Sequence, residues 1–204
     1  KDGILPYRPT PVDSAHWDAN ATIPEELAAI IAEKEEQAGF PYIHEAVQEF
    51  INLGAVLLNL PPGAGKSLAS CLILNHFRGK VLILVDSTFL EGQWHNRLKR
   101  WAPRANVMVS TYQGAQRYAK EKWDLILPDE AQRLPATTFS KLAFIQTLYR
   151  CGLTATPWRE DNRQHLIVAL CGHPVSISWN RLMALGVLKT PRIVVVTVPT
   201  LEAK

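Results

Sequence analysis

Residues 55–67 read AVLLNLPPGAGKS, and this stretch decides the fold. Ala55–Leu60 is an apolar run of strand length. Pro61 to Ser67 is a loop punctuated by glycines, and Lys66–Phe77 continues at helical spacing. A strand feeding a Gly-rich loop that opens a helix suits phosphate. Gly63 and Gly65 let the backbone approach an anion, and the amides of the helix N-terminus point at it with the helix dipole behind them. In this arrangement Lys66 would reach the β- and γ-phosphates of a bound nucleotide and the Ser67 hydroxyl would ligate Mg²⁺, with Pro62, Gly63, Ala64, Gly65 and Leu68 completing the cradle. The strict pattern has glycine where this chain has Leu60. An ordinary glycine-rich strand–helix turn is the bland alternative, and the Lys-Ser pair in this context argues against it.

Outward from the loop, apolar runs alternate with helical stretches. The strand-like runs are Ala55–Leu60, Val81–Val85, Val107–Ser110, Leu125–Leu127, Gly152–Ala155 and Ile193–Val198. Between them lie the helical stretches Lys66–Phe77, Phe89–Trp101, Gln113–Lys120 and Thr137–Leu148, while Leu166–Cys171 has strand or short-helix length. Strands that are apolar throughout are buried on both faces, which predicts an α/β fold with a mostly parallel sheet between two helical layers. Upstream, residues 1–22 form an irregular lead-in. An acidic helix follows from Thr22 or Ala21 to Gln37, and a second amphipathic helix runs from Ile43 to Leu53.

A second motif is LILPDEAQ at 125–132, a strand running into two acids. In a phosphate-loop protein the first acid, Asp129, would hold Mg²⁺ and the second, Glu130, would activate the attacking water. An Asp-Glu pair alone is common on surfaces; its weight comes from the loop at 61–67. Pro128 lacks a ladder donor, so it belongs at the strand's end.

The 204 residues carry a net charge of +3, unevenly spread. Residues 1–53 hold 3 basic and 10 acidic side chains, and the remainder holds 19 and 9. An anion-binding body behind an acidic segment fits this split. Cys71, Cys151 and Cys171 lack metal spacing and suit small apolar core positions in a reducing compartment, cytoplasmic or nucleoid, or nuclear in a eukaryote. No apolar run approaches the ~18 residues of a membrane span, and no secretion signal opens the chain, so a membrane partner is not expected. Lys1 is not a start methionine and Lys204 follows a strand-like run, so the sequence reads as a piece of a longer protein.

Taken in order, these motifs resemble the first motor domain of superfamily 2 helicases, nearest the XPB-type repair helicases and their type III restriction relatives. The resemblance is carried by Leu60–Ser67; Ser87–Trp94, which ends in Gln93-Trp94; Ser110-Thr111-Tyr112; the DEAQ box at 129–132; GLTAT at 152–156; and Arg159-Glu160-Asp161. WNRLMALGVLKT at 179–190 resembles the segment leading to a second motor domain. The resemblance implies a RecA-like domain over 40–190, an accessory lead-in and acidic helix over 1–39, and a strand or linker over 191–204 toward a second RecA-like domain. It implies an ATP-dependent DNA helicase or translocase acting on duplex or single strands, with a repair or nuclease partner. Ser87, Thr88, Ser110 and Thr111 would touch nucleic-acid backbone. Thr154 and Thr156 would couple nucleotide state to that site, with Gln93, Gln132, Arg159, Glu160 and Asp161 assigned to the same nucleic-acid and coupling set.

Three departures stand out. Ile43 occupies the place of the glutamine that usually reads adenine, which leaves the Tyr42 ring as the candidate stacking face. Gln132 replaces the usual histidine of the box. The second motor domain and its arginine finger are not in these residues, so this chain alone should hydrolyse ATP poorly. A nucleotide-binding clamp or regulatory subunit is the alternative from another class; a small-molecule kinase leaves GLTAT and the Arg-Glu-Asp triplet unexplained. Within Phe89–Trp101, the stripe Leu90, Trp94, Leu98 and Trp101 is expected in the core. Arg97, Lys99, Arg100 and Arg104 lie off it, to meet DNA phosphates or water. Trp158 would be buried or stack on a base.

Overall fold

A computed structural model describes residues 10–133, 145–156, 164–177 and 179–185. Six parallel strands form one sheet: β1 (Ala55–Asn59), β2 (Val81–Val85), β3 (Val107–Thr111), β4 (Trp123–Pro128), β5 (Thr147–Thr154) and β6 (His173–Ser176). Their order across the sheet is β3-β2-β4-β5-β1-β6. The helices are α1 (Glu25–Ala38), α2 (Tyr42–Leu53), α3 (Lys66–His76), α4 (Thr88–Trp101), α5 (Gln164–Cys171) and α6 (Trp179–Ala184).

Both faces of the sheet are covered, as the unbroken apolar strands require. Val56 and Leu58 of β1, Ile83 of β2 and Leu127 of β4 face one layer, where they meet Leu27 and Ile31 of α1, Phe50 of α2, Ile73 of α3 and Trp94 of α4. The alternate residues Leu57, Leu82, Leu84 and Ile126 face the other, with Ile167, Leu170 and Cys171 of α5. All three cysteines are free and buried. Burial pushes the Cys71 and Cys171 thiols up to about 12. Acidic α1 packs into the same core as α2 and α3, despite its five glutamates.

Some elements differ from the sequence expectation. Gln113–Lys120 forms only a 3₁₀ turn, Gly114–Tyr118. β5 begins at Thr147, so Thr147 and Leu148 are strand rather than the end of a helix, and they are held there because Thr147 and Tyr149 pair with Trp123 and Leu125 of β4. Leu166–Cys171 lies within helix α5, and β6 is an additional edge strand. Pro128 has a simple place. The β4–β5 ladder pairs residues 123–126 with 147–150, so the missing Pro128 donor falls beyond it, while the Asp129 amide donates to Leu84 O on the other side at 2.8 Å. The expected helix over 137–144 and strand over 193–198 lie outside the described residues.

Candidate nucleotide site

The C-terminal ends of β1 and β4 converge on one cleft of ≈ 530 Å³. Such ends are where open parallel sheets bind ligands. Pro62, Gly63, Gly65, Lys66, Ser67 and Leu68 line it from the loop after β1, and Asp129 and Glu130 from the end of β4. Gly65 caps α3 with φ 98°, a left-handed conformation that favours glycine, and a Cβ there would press on Ile43 Cδ1 at 3.1 Å. Lys66 Nζ donates to Leu60 O at 2.8 Å, folding the ammonium over the loop. Burial lowers its proton affinity, while Glu130 and Asp129 act the other way. Leu60 is itself buried with Ala64 and Leu182, so the position where the strict pattern has glycine serves as a packing residue.

The loop rests on α2. Tyr42 is buried, and its hydroxyl donates to Ala64 O at 2.9 Å. Tyr42 therefore presents no face on which a base could stack, which corrects the sequence expectation. Burial raises its phenol to about 12 and keeps it a donor. Ile43 is also fully buried, and Ala64 supports the loop from below rather than lining the cleft.

The acidic pair is held by aromatic donors. Asp129 is only 7% exposed, and Trp94 Nε1 donates to its Oδ2 at 2.8 Å. Tyr112 donates to the Asp129 carbonyl at 2.6 Å. Burial raises the Asp129 carboxyl, the Trp94 N–H opposes this, and Glu130 adds repulsion. Glu130 sits at φ 50°, among the described residues the only non-glycine in the left-handed region. Strain of this kind collects at functional sites. Gln132 Nε2 donates to Glu130 Oε2 at 2.6 Å, and the Thr154 hydroxyl lies 2.6 Å from Gln132 Oε1. A polar chain thus joins the acidic box to the end of β5. The same hydroxyl is 2.6 Å from Thr156 O, so its one proton serves one acceptor at a time.

Other expected residues fall in different places. Gln93 lines the nucleotide cleft beside Arg97, whose Nη2 donates to Gln93 Oε1 at 3.3 Å. Ser110 is buried, with its hydroxyl directed to Thr111 O, which removes it from direct contact with a backbone. Thr111 is half-buried and accepts the Gly114 amide. Ser87 caps α4 by accepting the Leu90 amide at 3.4 Å, and Thr88 and Phe89 are exposed beside it. Arg159, Glu160, Asp161 and Trp158 lie outside the described residues.

Sequence reasoning missed the Trp94–Asp129 bond and the cleft roles of Lys34, Arg97 and Trp101. One signal was available. A tryptophan buried on the stripe of α4 must find an acceptor for its indole N–H, and the strand-end carboxylate is the acceptor at hand.

No family model matches the chain. Rad25 of Halobacterium salinarum, a protein named for DNA 3'-5' helicase activity, is 33% identical over 183 residues, covering 78% of this chain and 30% of that protein. The DNA 3'-5' helicase XPB of Kineococcus radiotolerans is 32% identical over 158 residues, covering 65% of this chain and 28% of its own length. Among solved structures, the UvsW helicase of bacteriophage T4 superposes with a TM-score of 0.55 at 20% identity, over 66% of this chain and 58% of that one. The likeness to UvsW concerns the fold alone. With a phosphate loop and an acidic box meeting in one cleft of a doubly covered parallel sheet, a TAT strand joined to that box through Gln132, and with these relatives, the chain belongs with the XPB-like domains of superfamily 2 helicases.

Proposed function

We propose that this chain is the first, ATP-binding half of a DNA-dependent motor that moves 3'-5', the direction in the names of its relatives. The chain spans about a third of the length of those relatives, so a second RecA-like domain, reached through residues beyond 190, would complete the motor. The observation that carries the reading is the convergence of Lys66, Ser67, Asp129 and Glu130 on one cleft.

The loop amides and Lys66 bind the β- and γ-phosphates. A serine hydroxyl and a nearly buried carboxylate are hard oxygen donors, a set that fits Mg²⁺ with water filling its other positions; Ser67 and Asp129 would hold it. When bound, the ion would neutralise charge on the phosphate oxygens. Trp94 and Tyr112 fix the Asp129 carboxylate and carbonyl. Glu130, which lines the cleft, orients the attacking water. The chain Glu130–Gln132–Thr154 then carries the state of the site toward Thr156 and the segment that follows. Gln132 does this with an uncharged amide, so the coupling does not titrate as a histidine would. Thr88, Thr111 and the Ser87 cap form the lip offered to DNA phosphates, contacts that position without reading sequence. A repair or nuclease partner, and action at the nucleoid, accord with the XPB-type kinship.

ATP turnover with and without duplex DNA tests the reading, on this chain and on the chain with its second RecA-like domain supplied. We expect DNA-stimulated turnover from the two-domain protein and rates lower by about 10³-fold from this chain, the scale of a missing arginine finger. Bound nucleotide without turnover in either would favour the regulatory clamp.

A further inference from the structure

Helix α1 is the part of the molecule that the motor reading leaves unused. It carries five glutamates: Glu25, Glu26, Glu33, Glu35 and Glu36. From Thr10 to Gly65 the sequence contains a single lysine or arginine, Lys34. That one cation stands at the rim of the phosphate loop, where its Nζ donates to Gly63 O at 2.9 Å and its side chain lines the nucleotide cleft.

Those carboxylates of the helix whose partners are seen are engaged elsewhere. Glu26 forks onto Arg100 of α4. Glu35 accepts the amides of Ile43 and His44 at the start of α2, at 2.8 and 2.9 Å, and Glu33 accepts from Gln37. Among the described residues no carboxylate forms an ion pair with Lys34. An ammonium has three N–H donors, and the Gly63 carbonyl takes one. The helix that carries it is fixed on two sides, by Leu27 and Ile31 in the core and by the Glu26–Arg100 fork. Lys34 is therefore presented by a rigid element with donor capacity to spare, beside backbone amides suited to phosphate.

We infer that Lys34 is a second cationic ligand of the nucleotide's polyphosphate, delivered from outside the phosphate loop. The inference rests on the reading of this cleft as a nucleotide site. It gives the acidic N-terminal helix a purpose: the helix is a bracket for one cation. It also addresses the loss of base contacts, since Tyr42 and Ile43 are both buried and the phosphates must then supply more of the affinity.

The test is equilibrium titration with fluorescent ATP and ADP analogues, with inorganic tripolyphosphate as competitor, on wild type, Lys34→Gln and Lys34→Arg. Lys66→Ala is the control, and thermal unfolding without ligand is recorded for each. Lys34→Gln should weaken ATP about 10-fold and ADP less, as loss of one charge-assisted bond implies. Tripolyphosphate should weaken in step with ATP, and Lys34→Arg should recover most of the loss. The unfolding midpoint of Lys34→Gln should stay within about 2 °C of wild type. Unchanged ATP affinity in Lys34→Gln would overturn the inference. So would an equal loss for ATP and ADP accompanied by a lower midpoint, which would make Lys34 a pin between helix and loop. If wild type binds no nucleotide, or Lys66→Ala binds as well as wild type, the nucleotide reading of the cleft itself fails, separately from Lys34.

Discussion

The two ends of the sheet are built on different principles. At the C-terminal ends of the strands, side chains bond to side chains: Trp94 to Asp129, Gln132 to Glu130, Thr154 to Gln132. The buried polar groups Asp129 and Thr154 lie there, with Glu130, a non-glycine residue in left-handed backbone, lining the cleft. At the N-terminal ends, residues 10–21 lie across the domain as a strap held by its backbone. Val12 N donates to Ile51 O, Asp18 N to His76 O, and Arg78 N to His16 O, each at 2.8 Å. Aromatic rings close the contact: Trp17 stacks on His76 at 5.1 Å, and Phe77 meets Tyr149 edge-on at 5.8 Å. Gly54, with φ 64°, lets the strap pass, because a Cβ there would collide with Thr10 O. Main-chain bonds and ring contacts hold shape whatever the cleft contains. A network of side chains around a strained residue can change when a ligand arrives. The comparison assigns stability to one end and chemistry to the other.

Breaking each end separately should give opposite outcomes. Lys66→Ala should have the largest effect, a loss of nucleotide affinity or turnover of at least ~100-fold, because the cleft loses its central cation. Its unfolding midpoint should barely move, since the ammonium's contact is a loop carbonyl. Unfolding scans and nucleotide titration on the same sample check both halves. Trp17→Ala should do the reverse. Removing a half-buried indole from the strap should cost about 2 kcal/mol in denaturant unfolding, with nucleotide affinity unchanged. A joint loss in either variant would mean that the two ends are coupled through the sheet.

The sequence was readable where the code is local. Val81–Val85 was bounded correctly because VLILV has strand length, is rich in β-branched residues and is apolar on both faces, and the phosphate loop declared itself through Gly65-Lys66-Ser67 at a strand–helix junction. It was unreadable where partners are distant. Thr147–Tyr149 has helix-compatible composition and becomes strand only by pairing with Trp123 and Leu125. β6, His173-Pro-Val-Ser176, is a short edge strand with a proline, which its single neighbour tolerates and periodicity cannot detect. In the site, the loop and acidic pair were legible, but Tyr42 was misread because the motif tells that a ring is present and not which way it faces. The Trp94–Asp129 bond spans 35 residues, and Lys34 reaches Gly63 across 29; no local pattern links them.

The smallest expected effect is the sharpest probe of the comparison. Glu130 holds a left-handed backbone that costs a non-glycine residue about 1–2 kcal/mol, against a glycine's loss of about 0.5–1 kcal/mol in chain entropy on folding. Its carboxylate also repels Asp129. Glu130→Gly releases the strain and the repulsion and gives up the bond from Gln132. The balance favours the variant by about 0.5 kcal/mol, so loss of the proposed water-orienting carboxylate should leave a slightly more stable protein. Denaturant unfolding without nucleotide reads the sign. A clear loss of stability would mean that the bond from Gln132 outweighs the strain, and that the chemical end of the sheet also helps to hold the fold.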